Sequence, residues 1–176
     1  MRIVKYSALE GLLKGHDVTD GSPMLQDIYK LCNFKHGLPE TEIPVETFDA
    51  VLKWMAQKFY PNEPPNKALF NVGAKLFEGY RKTILGRIQL ATMNALGPDQ
   101  LAMRAPKLVG VNTNFGERTV EKVGPNNYLV KFKGVPLPGD YYSGIFAAGL
   151  KVQGLNPDVT WKQVGPEDME FYVRWS

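Results

Sequence analysis

The chain is poor in the residues that most often carry chemistry. It has one cysteine, Cys32, in 176 residues. A lone thiol excludes an internal disulfide and a multi-cysteine zinc site. Cys32 sits among apolar neighbours and reads as a buried structural thiol. The two histidines, His16 and His36, are far apart and lack metal-ligand spacing. Both fall in polar N-terminal turns and read as solvated loop residues, so no metal site is expected. No apolar run approaches the roughly 20 residues that a membrane span requires. Met1 to Tyr6 leads straight into an amphipathic helix, unlike a signal peptide, and a cytoplasmic location is expected. The net charge of +3 is too small to announce a nucleic-acid partner. The strand-like YLVKFKG interleaves aromatics with lysines but lacks the pattern of an RNA-recognition motif. G-x-G-x-x-G, P-loop and G-x-S-x-G motifs are absent. Ser143 has no histidine at a fixed spacing, and Glu167 and Asp168 fall in a turn rather than a cleft. No catalytic residue is therefore named, and a non-enzymatic role is expected.

What the chain does have is apolar patterning, with 44% hydrophobic residues. The stretch from Ala68 to Leu96 organises it. Apolar or aromatic residues recur at Leu69, Val72, Leu76, Tyr80, Ile84, Ile88, Ala91 and Ala95, the stripe of a core-facing helix. At about 1.5 Å per residue an unbroken helix would reach roughly 40 Å, so a break near Gly79 is expected. Gly79, Thr83 and Gly86 are spaced four and three apart and would share one face. Interior glycines destabilise a helix by about 1 kcal/mol each, so something approaches the backbone closely there. Two readings stand: another element packs tightly, or a flat or lipid-like ligand lies along the groove.

Taken in order, Ile3 to Tyr6 reads as a short strand. A helix over Ala8 to Lys14 follows, with Ser7 and Glu10 as its capping box. Pro23 opens a second helix carrying Leu25, Ile28, Tyr29 and Cys32. Gly37 to Pro44 reads as a loop. A third helix runs from about Val45 to Phe59 and ends before Tyr60-Pro61. Gly97-Pro98 closes the long helical region, with one further turn at Asp99 to Met103. From Pro106 the pattern changes to strands at Thr113 to Val123 and Asn127 to Lys133. A helix over Asp140 to Gly154, capped by Asp140, precedes strands at Val159 to Val164 and Met169 to Trp175. The expected architecture is a single α+β domain. Residues 1–105 form a helical part. Residues 106–176 form a four-stranded antiparallel sheet, in the order strand, strand, helix, strand, strand, packed against helices.

Several segments together resemble a known family. They are SALEGLLK from Ser7, Tyr60-Pro61, VGAKLFEGYRKTILGRI from Val72, and Leu96 to Pro98. YYSGIFAAGLKVQG from Tyr141 and YVRW from Tyr172 complete the set. The chain looks like the domain-of-unknown-function family that occurs as many paralogues in myxobacteria. Its C-terminal layout is also similar to haem nitric-oxide-binding domains, the four-vinyl-reductase ligand domain and Bet3-type subunits of Golgi transport complexes. That resemblance implies helices on a four-stranded antiparallel sheet, with an apolar molecule between them in several members and dimers in some. Haem domains of this kind use a helix histidine and a tyrosine–serine–arginine motif. Here Tyr142-Ser143 is followed by Gly144 and Ile145, and no long helix carries a histidine, so haem is not expected.

The residues expected to line a ligand pocket are Tyr80, Thr83, Gly86, Arg87, Tyr141 and Trp161. Tyr80, Tyr141 and Trp161 each carry a polar atom that needs a partner when buried. Arg87 rides on the organising helices with Lys75, Glu78, Arg81 and Lys82; Glu78 and Lys82 are spaced to pair, and the charges read as a solvated helix face or as a place for an anionic group near Arg81 or Arg87. Two functions follow. One is a small-molecule-binding or sensory domain with an apolar groove between helices and sheet. The other is a protein-interaction or scaffold subunit that dimerises and holds no ligand. The partners these readings allow are an apolar small molecule, and a homodimer or another protein.

Overall fold

The computed structural model describes residues 1–35 and 39–176, so the reading of His36 lies outside the described residues. Its centre is helix α4 (Pro65–Arg81), which is gripped on two sides through glycines. On one side it crosses α1 (Tyr6–Gly15). A Cβ on Gly79 would overlap the Gly11 carbonyl oxygen, and one on Gly15 would overlap the Lys75 carbonyl oxygen. On the other side it crosses α7 (Gly139–Val152). There Gly144 admits the Phe70 carbonyl and Gly73 admits the Tyr141 carbonyl. Gly73 and Gly79 of the organising stretch thus serve close helix packing.

α4 ends with Lys82 as its C-cap, later than the expected break at Gly79, and α5 (Ile84–Asn94) begins after Thr83. Gly79 stays helical because it is the residue on which α1 rests. The break re-phases the stripe. Leu69, Leu76 and Tyr80 are half-buried and Val72 is fully buried, whereas Ile84, Ile88, Ala91 and Ala95 are exposed. The expected shared face of Gly79, Thr83 and Gly86 does not survive that break. α6 (Gly97–Gly110) is much longer than the single turn expected, and it contains Pro106. Gly97-Pro98 opens this helix rather than closing the preceding region: Gly97 at φ +75° makes the turn and a proline fits the first turn.

The remaining helices are α2 (Pro23–Leu31), capped by Ser22, whose hydroxyl accepts from the Leu25 N–H at 3.1 Å, and α3 (Val45–Phe59). Phe48, Val51, Leu52 and Met55 of α3 are fully buried, as the periodicity implies. α1 starts at Tyr6 without a side-chain cap. Ser7 instead donates to Asn112 at 2.8 Å, and Glu10 pairs with Lys14. The strand β1 (Ile3–Lys5) pairs with β2 (Glu42–Pro44), so the expected loop ends in a strand.

The main sheet has the order β3-β4-β6-β5 and is antiparallel throughout. β3 spans Glu117–Gly124, β4 Asn127–Lys133, β5 Pro157–Gln163 and β6 Met169–Trp175. β4 and β6 are central and turn alternate residues inward: Tyr128, Val130 and Phe132 from one, Met169, Phe171, Val173 and Trp175 from the other. α7 packs on this face and is buried over nearly its whole length. Asp140 does not cap α7. Its carboxylate accepts a 2.8 Å bond from the Trp161 indole N–H, and the helix begins at Gly139 after Pro138.

Candidate functional site

Between α4, α5, α6, α7 and the inner face of the sheet lies a cavity of about 130 Å³. Its walls follow from the elements just described. α4 contributes Leu76, Phe77 and Tyr80, and α5 contributes Leu90. α6 contributes Leu101, Ala102, Ala105, Leu108 and Val109. α7 contributes Tyr141, Tyr142, Ile145, Phe146, Gly149 and Leu150, and the sheet contributes Tyr128, Val130 and Val173. Leu90 and Leu101 pack together with Phe77 and Leu108 as a small cluster apart from the main core.

Polar atoms at this lining are few, and most are engaged. The Tyr128 hydroxyl donates to Asp99. Asn112 accepts from Ser7. Thr113 donates to the Gly110 carbonyl at 3.1 Å and accepts from Arg118 at 3.1 Å. Arg118 also donates to the Phe115 carbonyl at 2.9 Å and lies over the Phe132 ring at 5.2 Å. Among the described residues Arg118 pairs with no carboxylate. Burial raises the Tyr142 hydroxyl above the ordinary phenol value, and neighbouring Arg118 offsets part of that rise. Burial also raises Tyr80, and it raises Tyr141 well above the ordinary value, with a smaller contribution from Tyr142. The phenols at this site stay protonated.

Of the residues expected to form a pocket, Tyr80 and Tyr141 line the cavity. Thr83 is the N-cap of α5: its hydroxyl donates to the Tyr80 carbonyl at 2.8 Å and accepts from the Gly86 N–H at 2.9 Å. Gly86 is buried where a Cβ would overlap that same carbonyl. Arg87 is exposed and borders a second groove with Arg81, Lys82 and Lys151 over Ala147 and Ala148. Trp161 stands on β5 against Gly139 and Phe171, held by Asp140. Glu78 pairs with Lys75 at 2.6 Å and Lys82 with Asp17 at 2.7 Å, so the expected Glu78–Lys82 pair is replaced.

His16 is not a solvated loop residue. Its Nδ1 donates to the Leu12 carbonyl at 2.9 Å, its Nε2 meets the Tyr60 hydroxyl at 3.2 Å, and its ring lies on Phe59. Burial lowers its pKa despite the carbonyl contact. Cys32 is buried, which pushes its thiol up to about 11. Ser143 is 3% exposed with an unpartnered hydroxyl. Glu167 pairs with Arg2 at 2.6 Å, and Asp168 accepts from the Gly134 N–H at 2.9 Å. Among the described residues no cluster of His, Cys, Asp and Glu is placed to hold a metal ion. Among them, too, no helix is long and apolar enough to cross a membrane.

The cavity residues that sequence reasoning missed include a whole wall on α6. Leu101, Ala105, Leu108 and Val109 recur at helical spacing, a signal that Pro106 obscures.

The fold is that of the haem nitric-oxide-binding (H-NOX) proteins. An H-NOX protein from S. oneidensis in the Fe(II)NO state is 9% identical, with 98% of this chain and 99% of that one covered, at a TM-score of 0.69. An unliganded Fe(II) mutant from K. algicida is 10% identical, covers 98% and 96%, and scores 0.65. An oxygen-binding H-NOX domain related to soluble guanylate cyclases is 10% identical, covers 97% and 94%, and scores 0.68. At such identities the likeness is one of fold. No curated protein sequence matches the chain. A family model described as "Protein of unknown function (DUF2378)" matches residues 2–176, and the chain belongs to that family.

Proposed function

We propose that this chain is a non-enzymatic small-molecule-binding domain whose ligand is compact and largely apolar. The observation that carries the reading is the 130 Å³ cavity between helices and sheet. A void of that size destabilises a core by about 3 kcal/mol relative to a filled one. Apolar cavities of roughly 150 Å³ stay dry and accept benzene. A purely structural subunit gains nothing from such a void.

The iron-holding group of the H-NOX neighbours does not fit these residues. Among the described residues the cavity lining includes no imidazole and no thiol, and its tyrosines are held protonated by burial rather than offered as phenolates. A benzene-sized space is also too small for a porphyrin.

A catalytic role has little support. Ser143 lies outside the cavity lining, and among the described residues it has no base beside it. One observation favours the protein-partner reading as an addition. Ile84 and Ile88 on α5 are 73% and 61% exposed, and an apolar helix face of that kind suits a dimer contact or another protein.

Native mass spectrometry of freshly purified protein tests both readings. An adduct that leaves on denaturation, or a saturable shift on titration with toluene, supports the ligand reading. A clean mass that no small apolar compound shifts overturns it, and the same spectrum separates monomer from dimer.

A further inference from the structure

We infer that the ligand carries one neutral hydrogen-bond acceptor, a carbonyl oxygen on a compact apolar body, and that the Tyr141 hydroxyl is the donor that recognises it. This rests on the cavity being a ligand site. Tyr141 is 3% exposed and enters the cavity from the first turn of α7. Its ring is fixed edge-on against Phe48 and Tyr142, at centroid distances of 6.3 and 5.2 Å. Its backbone carbonyl is pinned where Gly73 lets α4 approach. Among the described residues its hydroxyl has no hydrogen-bond partner, and only burial and the neighbouring Tyr142 act on it.

The other polar groups at the lining differ. Tyr128, Asn112 and Thr113 are each engaged by named partners, and Tyr142 lies beside Arg118. Buried polar groups in folded proteins are almost always hydrogen-bonded, so the Tyr141 hydroxyl marks a missing acceptor. Water is a poor candidate, because a buried water needs two to four polar partners and the described lining is mostly apolar with its other named polar groups engaged. The acceptor is also not an anion. Among the described residues the lining holds no charged side chain, Arg118 stands beside Tyr142 and Thr113 outside it, and an unpaired carboxylate would be strongly disfavoured here. A ketone, ester or lactone of about benzene size satisfies both the apolar walls and the single donor.

The test compares cyclohexanone with methylenecyclohexane, which share a shape and differ in C=O against C=CH2. Affinities of both for the full chain and for Tyr141→Phe are measured by calorimetric titration. The substitution is expected to weaken the ketone roughly five- to tenfold while the alkene stays within about twofold. An unchanged ketone-to-alkene ratio overturns the role of Tyr141 while leaving the cavity as a ligand site. Binding of neither compound to either protein overturns the cavity reading and this inference with it. Tyr141→Phe removes only an unpartnered oxygen, so the ligand-free variant should melt no lower than the parent. A clear drop in melting temperature would reveal a structural partner and would equally overturn the assignment.

Discussion

Gly73 on α4 and Tyr141 on α7 meet backbone to backbone: a Cβ on Gly73 would overlap the Tyr141 carbonyl oxygen. The helix crossing and the cavity wall are therefore set by one contact. Gly73→Ala forces the two helices apart or strains both, and is expected to lower stability by about 3 kcal/mol in urea unfolding. It should also move the Tyr141 ring. An unchanged denaturation midpoint would contradict the close approach.

Gly149 presents the opposite case. A Cβ there meets the Phe77 ring at 3.5 Å, an ordinary contact, and the residue lines the cavity. Gly149→Ala should stabilise the ligand-free protein by about 1 kcal/mol through helix propensity. The added methyl takes space from a ligand. A higher melting temperature together with weaker toluene binding is the expected pair of results, and equal binding would show that the occupied space lies elsewhere.

His16 should make stability fall on mild acidification. Burial holds its folded-state pKa below the unfolded value of about 6.5. Below that pH the unfolded chain takes up a proton that the folded chain resists, so stability is fully present above about 6.5 and declines as pH falls toward the lowered value. Melting temperatures between pH 7.5 and 5.5 should therefore drop, and His16→Gln should flatten the slope. A parent and variant with parallel slopes would remove His16 as the cause.

Thr83 joins α4 to α5 through one hydroxyl that both donates and accepts. Losing an N-cap of this kind costs about 1 kcal/mol, and serine can replace threonine in the role. Thr83→Ala should speed amide exchange in α5 while Thr83→Ser leaves it unchanged. Equal exchange in all three proteins would exclude the cap as what holds α5 at the cavity.

Haem supplied to the purified protein should give the spectrum of free haemin. A sharpened Soret band saturating at one haem per chain would overturn the misfit argued from the cavity lining.

Much of this architecture is legible in the sequence because burial leaves period-specific marks. Phe48, Val51, Leu52 and Met55 announce α3, and Met169, Phe171, Val173 and Trp175 announce β6. The errors arise where a local rule meets a stronger tertiary one. Ser7 and Glu10 look like a capping box, yet Asn112 and Lys14 take them. Pro106 looks like a boundary, yet α6 continues past it to Gly110. Ile84 and Ile88 fit a core stripe only if the helical phase carries through the break, and it does not. For the site, Tyr80 and Tyr141 are identifiable as aromatics with a polar tip on inward-facing helix positions. The α6 wall is not, since a cavity is a relation between several helices and a sheet that no single window contains.

The two glycine crossings of α4 also govern how news of an occupant can travel. Helices that touch through side chains can slide by changing rotamers, whereas helices in backbone contact have no such slack. On the reading that the cavity holds a ligand, an occupant would find little give where α4 crosses α1 and α7. The elements left to answer are α5 and α6, which meet through Leu90, Leu101 and Leu108. Both also reach the surface, where Ile84 of α5 and Met103 of α6 are exposed.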